Sequence, residues 1–321
     1  MNLRLVTFDE LPADLGPQRA LLHLSAFGGY WDDSEVARAR GPGGPLADYV
    51  AVFALARNRV AAQTFVHRIP FTTPRGTEIV SGMDAVVSLP DATRRGFARA
   101  VLNDVHRRER KAGIRYSLLW TSRSWYAHDL YESLGYRDVY GVPRAARFDP
   151  PARLLPKGWS VRRGGTKDLS ALSLLHEAVS RGRYGFTPRI SSYFQGKSPT
   201  RRLPMNSHLL LEREGQLEAY AGLEESPDRL DSRELLAQSP ASAAVLLQAL
   251  ELRSPGRLLT IGHSFVADQE RMLRRRGYGI LPSDWNTLMA ARLGSKVAAR
   301  DLAKQLGIAD PRFICLAGDR F

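Results

Sequence analysis

Residues 78–98 read Glu-Ile-Val-Ser-Gly-Met-Asp-Ala-Val-Val-Ser-Leu-Pro-Asp-Ala-Thr-Arg-Arg-Gly-Phe-Ala. The first half, Ile79 to Leu89, is rich in valine and lies between a turn-rich segment and Pro90, a pattern that predicts a strand. From Ala98 onward apolar residues recur at 98, 101, 102 and 105, the spacing of one helical face. Between strand and helix stands Arg94-Arg95-Gly96-Phe97-Ala98. The first N–H groups of a helix lack internal partners and carry the positive end of its dipole, so this turn can seat an anion. Glycine and alanine allow close approach, and two arginines add forked donors. An ordinary strand-to-helix turn with solvated arginines fits the same residues.

Residues 3–7 predict a strand and Leu15 to Phe27 a helix. Residues 28–45 are glycine-rich and hold Asp32, Asp33 and Glu35. Tyr49 to Ala56 and Val60 to Arg68 predict a hairpin, and Ile69 to Gly76 has turn chemistry. After the central helix come a strand at Tyr116 to Thr121, a helix at Trp125 to Leu134 stopped by Gly135, and a closing strand from Tyr136 to Phe148. The order implies an α/β or α+β layer whose sheet is largely antiparallel in its first half.

Thr93-Arg94-Arg95-Gly96-Phe97-Ala98 resembles the acetyl-coenzyme A signature of the GNAT acetyltransferase superfamily, Arg/Gln-x-x-Gly-x-Gly/Ala, with Thr93 replacing the usual first residue. A second landmark, Asn-x-x-Ala-x-x-Leu-Tyr-x-x-x-Gly-Phe/Tyr, is similar to the run from Ser124 through Ala127, Tyr131 and Gly135 to Tyr136, with Ser124 in place of asparagine. The two occur in the family's order. Tandem units and a chain ending in Phe321 also resemble the enhanced intracellular survival acetyltransferases, in which the C-terminal carboxylate serves as base. Those proteins carry a further domain that is not expected here.

A proline-rich linker, residues 149–158, separates residues 1–148 from 159–321, where the chain begins again. Trp159 onward echoes Leu3 onward, His208 to Leu223 matches the first hairpin, and Met272 to Tyr278 matches Leu130 to Tyr136. The resemblance therefore implies tandem GNAT folds, each a mixed, largely antiparallel sheet flanked by helices, with a short C-terminal tail. The alternative is an unrelated α+β domain over 159–292. Aligning Pro240 with Pro90 puts Leu246 at the motif glycine and Gln248 at the motif alanine, and Leu273 stands where the first copy has Tyr131. By this reading the second copy binds no coenzyme A.

The chain has 321 residues with 44% hydrophobic content, enough for two cores at about 150 residues per domain. No apolar run approaches the ~18 residues of a membrane span, and the N-terminus lacks the pattern of a secretory signal. A single cysteine, Cys315, excludes an internal disulfide and a cysteine-rich zinc site, so a reduced cytoplasm is the expected home. The net charge of +13 is scattered, with only short clusters near Arg107 and Arg274. A basic balance can mean nucleic acid, an acidic membrane surface or an anionic cofactor, and the scatter argues against nucleic acid as partner.

The resemblance implies acetyl-coenzyme A as cosubstrate without a metal, and a small-molecule or peptide amine as acceptor. Val86, Val87 and Ser88 would pair with the pantetheine arm, Arg94, Arg95, Gly96, Phe97 and Ala98 would hold the pyrophosphate, and Ser124 would stand in the family's asparagine position. Tyr131 matches the proton-donating tyrosine. The family's strand glutamate falls on Gly82, which leaves Asp84, two residues on and on the same strand face, as the first candidate base. Phe321, through its carboxylate, is another, and His67 and His128 are conceivable. Asp32, Asp33 and Glu35 could attract a cationic amine. A non-catalytic coenzyme A sensor or interaction module is the competing reading. A homo-oligomer is compatible with the sequence.

Overall fold

The computed structural model describes residues 3–28, 34, 50–186, 188, 205–262, 269–281 and 286–315. In the first half these form β1 (Leu3–Thr7), α1 (Gly16–Phe27), β2 (Val50–Ala56), β3 (Val60–Thr73), β4 (Gly76–Ser88), α2 (Phe97–Lys111), β5 (Tyr116–Ser122), α3 (Tyr126–Ser133), β6 (Arg137–Tyr140) and β7 (Arg144–Phe148). The second half supplies β8 (Trp159–Arg163), α4 (Leu169–Ser180), β9 (Tyr184–Gly185), β10 (His208–Arg213), β11 (Gln216–Glu225), β12 (Arg229–Ala237), α5 (Pro240–Leu252), β13 (Leu258–Gly262) and α6 (Gln269–Arg275). It ends with β14 (Gly279–Leu281), β15 (Asn286–Arg292), α7 (Ala299–Gln305) and β16 (Phe313–Ile314).

Two mixed sheets result. The first runs β1-β2-β3-β4-β5-β15-β6 and the second β14-β7-β13-β12-β11-β10-β8. Read from the β8 edge, the second repeats the order of the first, which is the repeat seen in the sequence. One slot differs in origin. The place between β5 and β6 is filled by β15 from the second half, and the matching place between β13 and β14 is filled by β7 from the first. The expected single closing strand over 136–148 is thus two strands in two sheets. The halves exchange their last strands, and a boundary drawn at 148 or 158 cuts across both sheets.

Alternation along the strands decides which helix packs where. Val52, Ala54, Ala62, Val66, Met83, Leu119 and Met289 bury one face of the first sheet under Phe97, Val101, Leu102 and Val105 of α2 and Tyr131 of α3. The opposite residues, Ala51, Phe53 and Leu55, pack with Leu15 and Leu22 at α1. Farther along that face Ile69, Phe71, Leu118 and Leu288 meet Leu302, Leu306 and Phe313, so the C-terminal segment that the sequence left without a role covers this end of the sheet. β3 also runs through the expected turn at Ile69 to Gly76. Proline is tolerated there because the pairing of β3 with β2 goes no further than Val66, and Pro70 pairs only with Ile79 of β4.

Two polar groups fasten α2 to the sheet. Glu109 is fully buried and accepts from Arg68 Nη2 at 2.9 Å and from Ser81 Oγ at 2.8 Å. His106 Nε2 lies 2.8 Å from the Tyr136 hydroxyl, which is itself 2.7 Å from Ser117 Oγ. Burial lowers the His106 pKa to about 4 from 6.5. The unfolded chain therefore takes up this proton first on acidification, and stability present above pH 6.5 is lost as pH falls toward 4. The loss reaches roughly 3 kcal/mol for this group. His106→Gln should flatten the decline in urea-unfolding midpoint between pH 6.5 and 4; an unchanged slope would assign it elsewhere. Among the described residues no helix is long and apolar enough to cross a membrane.

Candidate active site

β4 and β5 run parallel but pair over only three positions, Ser81 with Ser117, Gly82 with Leu118 and Met83 with Leu119. Beyond Met83 they part. β4 continues five residues to Ser88 and stays paired with β3 alone among the described strands. One extra residue on β4 bends it there, since Phe65 faces Asp84 while Gln63 faces Val87. Ala85 takes the strain of this bulge at φ 49°. The edge from Asp84 to Ser88, including Val86, Val87 and Ser88, offers its backbone to the wedge between the strands.

At the end of β4, Pro90–Ala92 forms a short 3-10 turn and α2 begins after Gly96. Arg94 at φ 60° and Gly96 at φ 82° are both left-handed, so the chain doubles back just ahead of the helix. The first intrahelical bond is from Ala100 N–H to Gly96 O at 2.9 Å. The preceding N–H groups, those of Phe97, Ala98 and Arg99, have no side-chain cap. A Cβ built on Gly96 meets nothing within 4 Å, so there is open space beside this helix end. The Arg94 guanidinium lies 5.9 Å from the Tyr126 ring centre and that of Arg95 5.7 Å from the Phe97 ring. The Thr93 hydroxyl donates to the Pro90 carbonyl and so shapes the turn.

α3 places the remaining groups. Tyr131 is 7% exposed and packs with Met83 and Leu119, the last pair before the strands part. Its carbonyl accepts Tyr136 N–H at 3.1 Å around Gly135 at φ 95°, which fixes the helix end. Among the described residues its hydroxyl has no hydrogen-bond partner. Burial, and then the Asp84 charge, push the Tyr131 pKa well above the usual phenol value. Asp84 sits at the bulge, where Oδ1 accepts Ala85 N–H at 2.6 Å and Oδ2 lies 3.3 Å from His67 Nε2. His67 faces Gly82 directly across the hairpin and reaches Asp84 diagonally. Ser124 is in the turn after β5, with Oγ 2.8 Å from Ser122 Oγ.

The structure therefore brings Tyr131, Asp84 and His67 to the point where the sheet opens, and the Arg94 to Ala98 turn to the end of β4. His128 is elsewhere, with Nε2 3.1 Å from Asp138 Oδ1. Asp32, Asp33, Glu35 and Phe321 lie outside the described residues.

The second copy has no such helix end. α5 opens at Pro240 itself, whereas Pro90 opens a separate turn ahead of α2, so the structural counterpart of Gly96 is Ser239 and the expected match with Leu246 is corrected. Ser239 Oγ accepts Ser242 N–H at 3.1 Å and Ser242 Oγ accepts Ser239 N–H at 3.0 Å. This reciprocal cap uses the donors an anion would need. The signal was legible as Ser-Pro-x-Ser. Leu273 is fully buried at the Tyr131 position, as the alignment of Gly277 with Gly135 implied.

A sequence comparison with family models matches residues 74–142 to the FR47-like protein family. That span holds the wedge, the helix end and Tyr131. Solved structures with the same architecture include a probable N-acyltransferase of Enterococcus faecalis, 13% identical with a TM-score of 0.69, covering 91% of this chain and 73% of that one. Eis1 from Mycobacterium abscessus is 14% identical, with a TM-score of 0.58 over 92% of this chain and 74% of its own. A tandem GNAT protein from the clavulanic acid biosynthesis pathway, 14% identical with a TM-score of 0.53, matches over 92% of this chain and 100% of its own. The chain has the tandem GNAT fold. A comparison with curated protein sequences finds no match. Among the described residues the second copy of this GNAT fold repeats the parting strands and a bulge, between β12 and its neighbours, and differs in the capped helix end.

Replacing Gly96 tests that helix end. Leucine there must adopt φ 82°, a strain of about 1–2 kcal/mol, while its Cβ meets no atom within 4 Å. Gly96→Leu is expected to fold, with far-UV dichroism unchanged, and to bind acetyl-coenzyme A at least tenfold more weakly by calorimetry. Unaltered affinity would place the cofactor elsewhere.

Proposed function

We propose that the chain is an N-acetyltransferase whose first GNAT unit moves an acetyl group from acetyl-coenzyme A to a primary amine in a ternary complex. The observation that carries this reading is the wedge between β4 and β5 with the uncapped start of α2 at its end. Acetyl-coenzyme A, when bound, supplies the thioester. The residues present fit it: the free β4 edge from Asp84 to Ser88 can pair with an extended pantetheine arm, and the bare backbone at Gly96 to Ala98 with Arg94 and Arg95 can hold a pyrophosphate. Ser124 lines the turn beside α3.

The chain's own groups then divide the work. Backbone N–H groups on the parted β4 edge orient the acetyl carbonyl and polarise it. Tyr131 holds a proton at its hydroxyl. Because its pKa is raised, it acts by donating a hydrogen bond as negative charge grows on sulfur. Asp84 receives the amine proton, directly or through a water, and His67 fixes the orientation of its carboxylate. The second unit completes the first sheet through β15, and its self-capped α5 leaves the cofactor to the first unit.

A coenzyme A sensor is the second reading. It is favoured by Gly82 and Thr93, which supply neither a strand carboxylate nor a free phosphate contact. Calorimetry with acetyl-coenzyme A followed by assay of free thiol on a panel of amines separates the two. Binding with thiol release supports the enzyme, binding without release on any amine supports the sensor, and no binding removes both.

A further inference from the structure

A cleft of about 400 Å³ lies in the second unit, away from the wedge, lined by Arg147, Arg153, Glu251, Arg275, Arg276 and Gly277. Four arginines there face one carboxylate. Two of the four are held by the fold. Arg276 Nη1 donates to Glu251 Oε2 at 2.6 Å, and Arg147 donates to the Arg276 carbonyl at the end of α6. Glu251 is 1% exposed and also accepts from the Tyr278 hydroxyl at 3.2 Å, so its charge is spent inside. The other two are exposed, and among the described residues Arg153 and Arg275 make no ion pair or hydrogen bond. Positive charge is thus concentrated on a concave surface, and among the described residues lining it no acid is left to neutralise it.

We propose that this cleft binds a small multivalent anion of the size and charge of pyrophosphate. Guanidinium forks match tetrahedral oxyanions, and the volume falls in the range of small-ligand sites. The cleft exists because of the strand exchange. Arg147 comes on β7 from the first half, Arg153 from the linker, and Arg275 and Arg276 from the end of α6. An anion seated there ties the exchanged strand and the linker to the second unit, and so stabilises the arrangement that holds both sheets.

The probe is inorganic pyrophosphate, titrated calorimetrically into the full chain at fixed ionic strength. Two sites are expected, one at the start of α2 and one in the cleft. Arg94→Gln/Arg95→Gln should weaken the first and spare the second. Arg153→Gln/Arg275→Gln, which removes no ion pair or side-chain hydrogen bond among the described residues, should weaken the second at least tenfold with unchanged dichroism. Equal pyrophosphate binding in wild type and in Arg153→Gln/Arg275→Gln would overturn the proposal, as would loss of all binding in Arg94→Gln/Arg95→Gln.

Discussion

Produced without the second half, residues 1–158 are expected to yield no folded protein that binds acetyl-coenzyme A. The seven residues of β15 pair along the whole of β5, and three of them pair with β6. Leu288, Met289 and Ala290 are fully buried and Ala291 is 3% exposed. Deleting them removes both large side chains from two cores, at about 1.5–3 kcal/mol each, and leaves two unpaired strand edges in the middle of a sheet. Against a total stability of about 5–15 kcal/mol that loss is decisive. The converse holds for residues 159–321, which lose β7 from between β13 and β14 together with the fully buried Ala145. The two fragments co-expressed should copurify and regain cofactor binding, because each carries the strand the other lacks. A cooperative unfolding transition from residues 1–158 alone would show that β15 is dispensable.

The exchange was not legible because pairing is non-local. Arg144–Phe148 and Asn286–Arg292 each look like a strand, and the repeat provides two equivalent slots, with nothing in either segment naming its sheet. The helix end was legible because its determinants lie within a few residues: Pro90, a glycine able to take φ 82°, and apolar spacing that starts at once. Alternation put Asp84 on the strand face of Gly82, and His67 reaches it diagonally across the hairpin, so the partner is set by the register. Alternation alone fixes no register where the expected turn at Ile69 to Gly76 is largely strand, so a partner seventeen residues away could not be assigned from sequence. The second copy failed in the opposite sense. Matching prolines concealed that one proline opens a turn and the other opens the helix, and the position equivalent to Gly96 moved from Leu246 to Ser239.

Tyr131→Phe is expected to lower kcat by about 10²-fold while KM for acetyl-coenzyme A changes less than threefold. The ring fills the same volume against Met83, Leu119 and Tyr136, whose ring centre is 5.9 Å away, so the fold and the cofactor groove are preserved. What is lost is one hydroxyl hydrogen, and with it the hydrogen bond to sulfur as charge develops. The pH dependence distinguishes this role from that of a titrating acid. Burial and the Asp84 charge hold the phenol neutral beyond its ordinary pKa of 10.0, so below pH 10 the wild-type profile should show no alkaline limb from Tyr131. Stability follows the same sign: the folded state keeps this proton more tightly than the unfolded chain, so the contribution is full below pH 10 and declines above it. A falling limb in kcat near pH 8 that disappears in Tyr131→Phe would mean that the tyrosine ionises within the working range. A variant with wild-type kcat would leave Tyr131 as a packing residue and return the search for the donor to the wedge around Ser124.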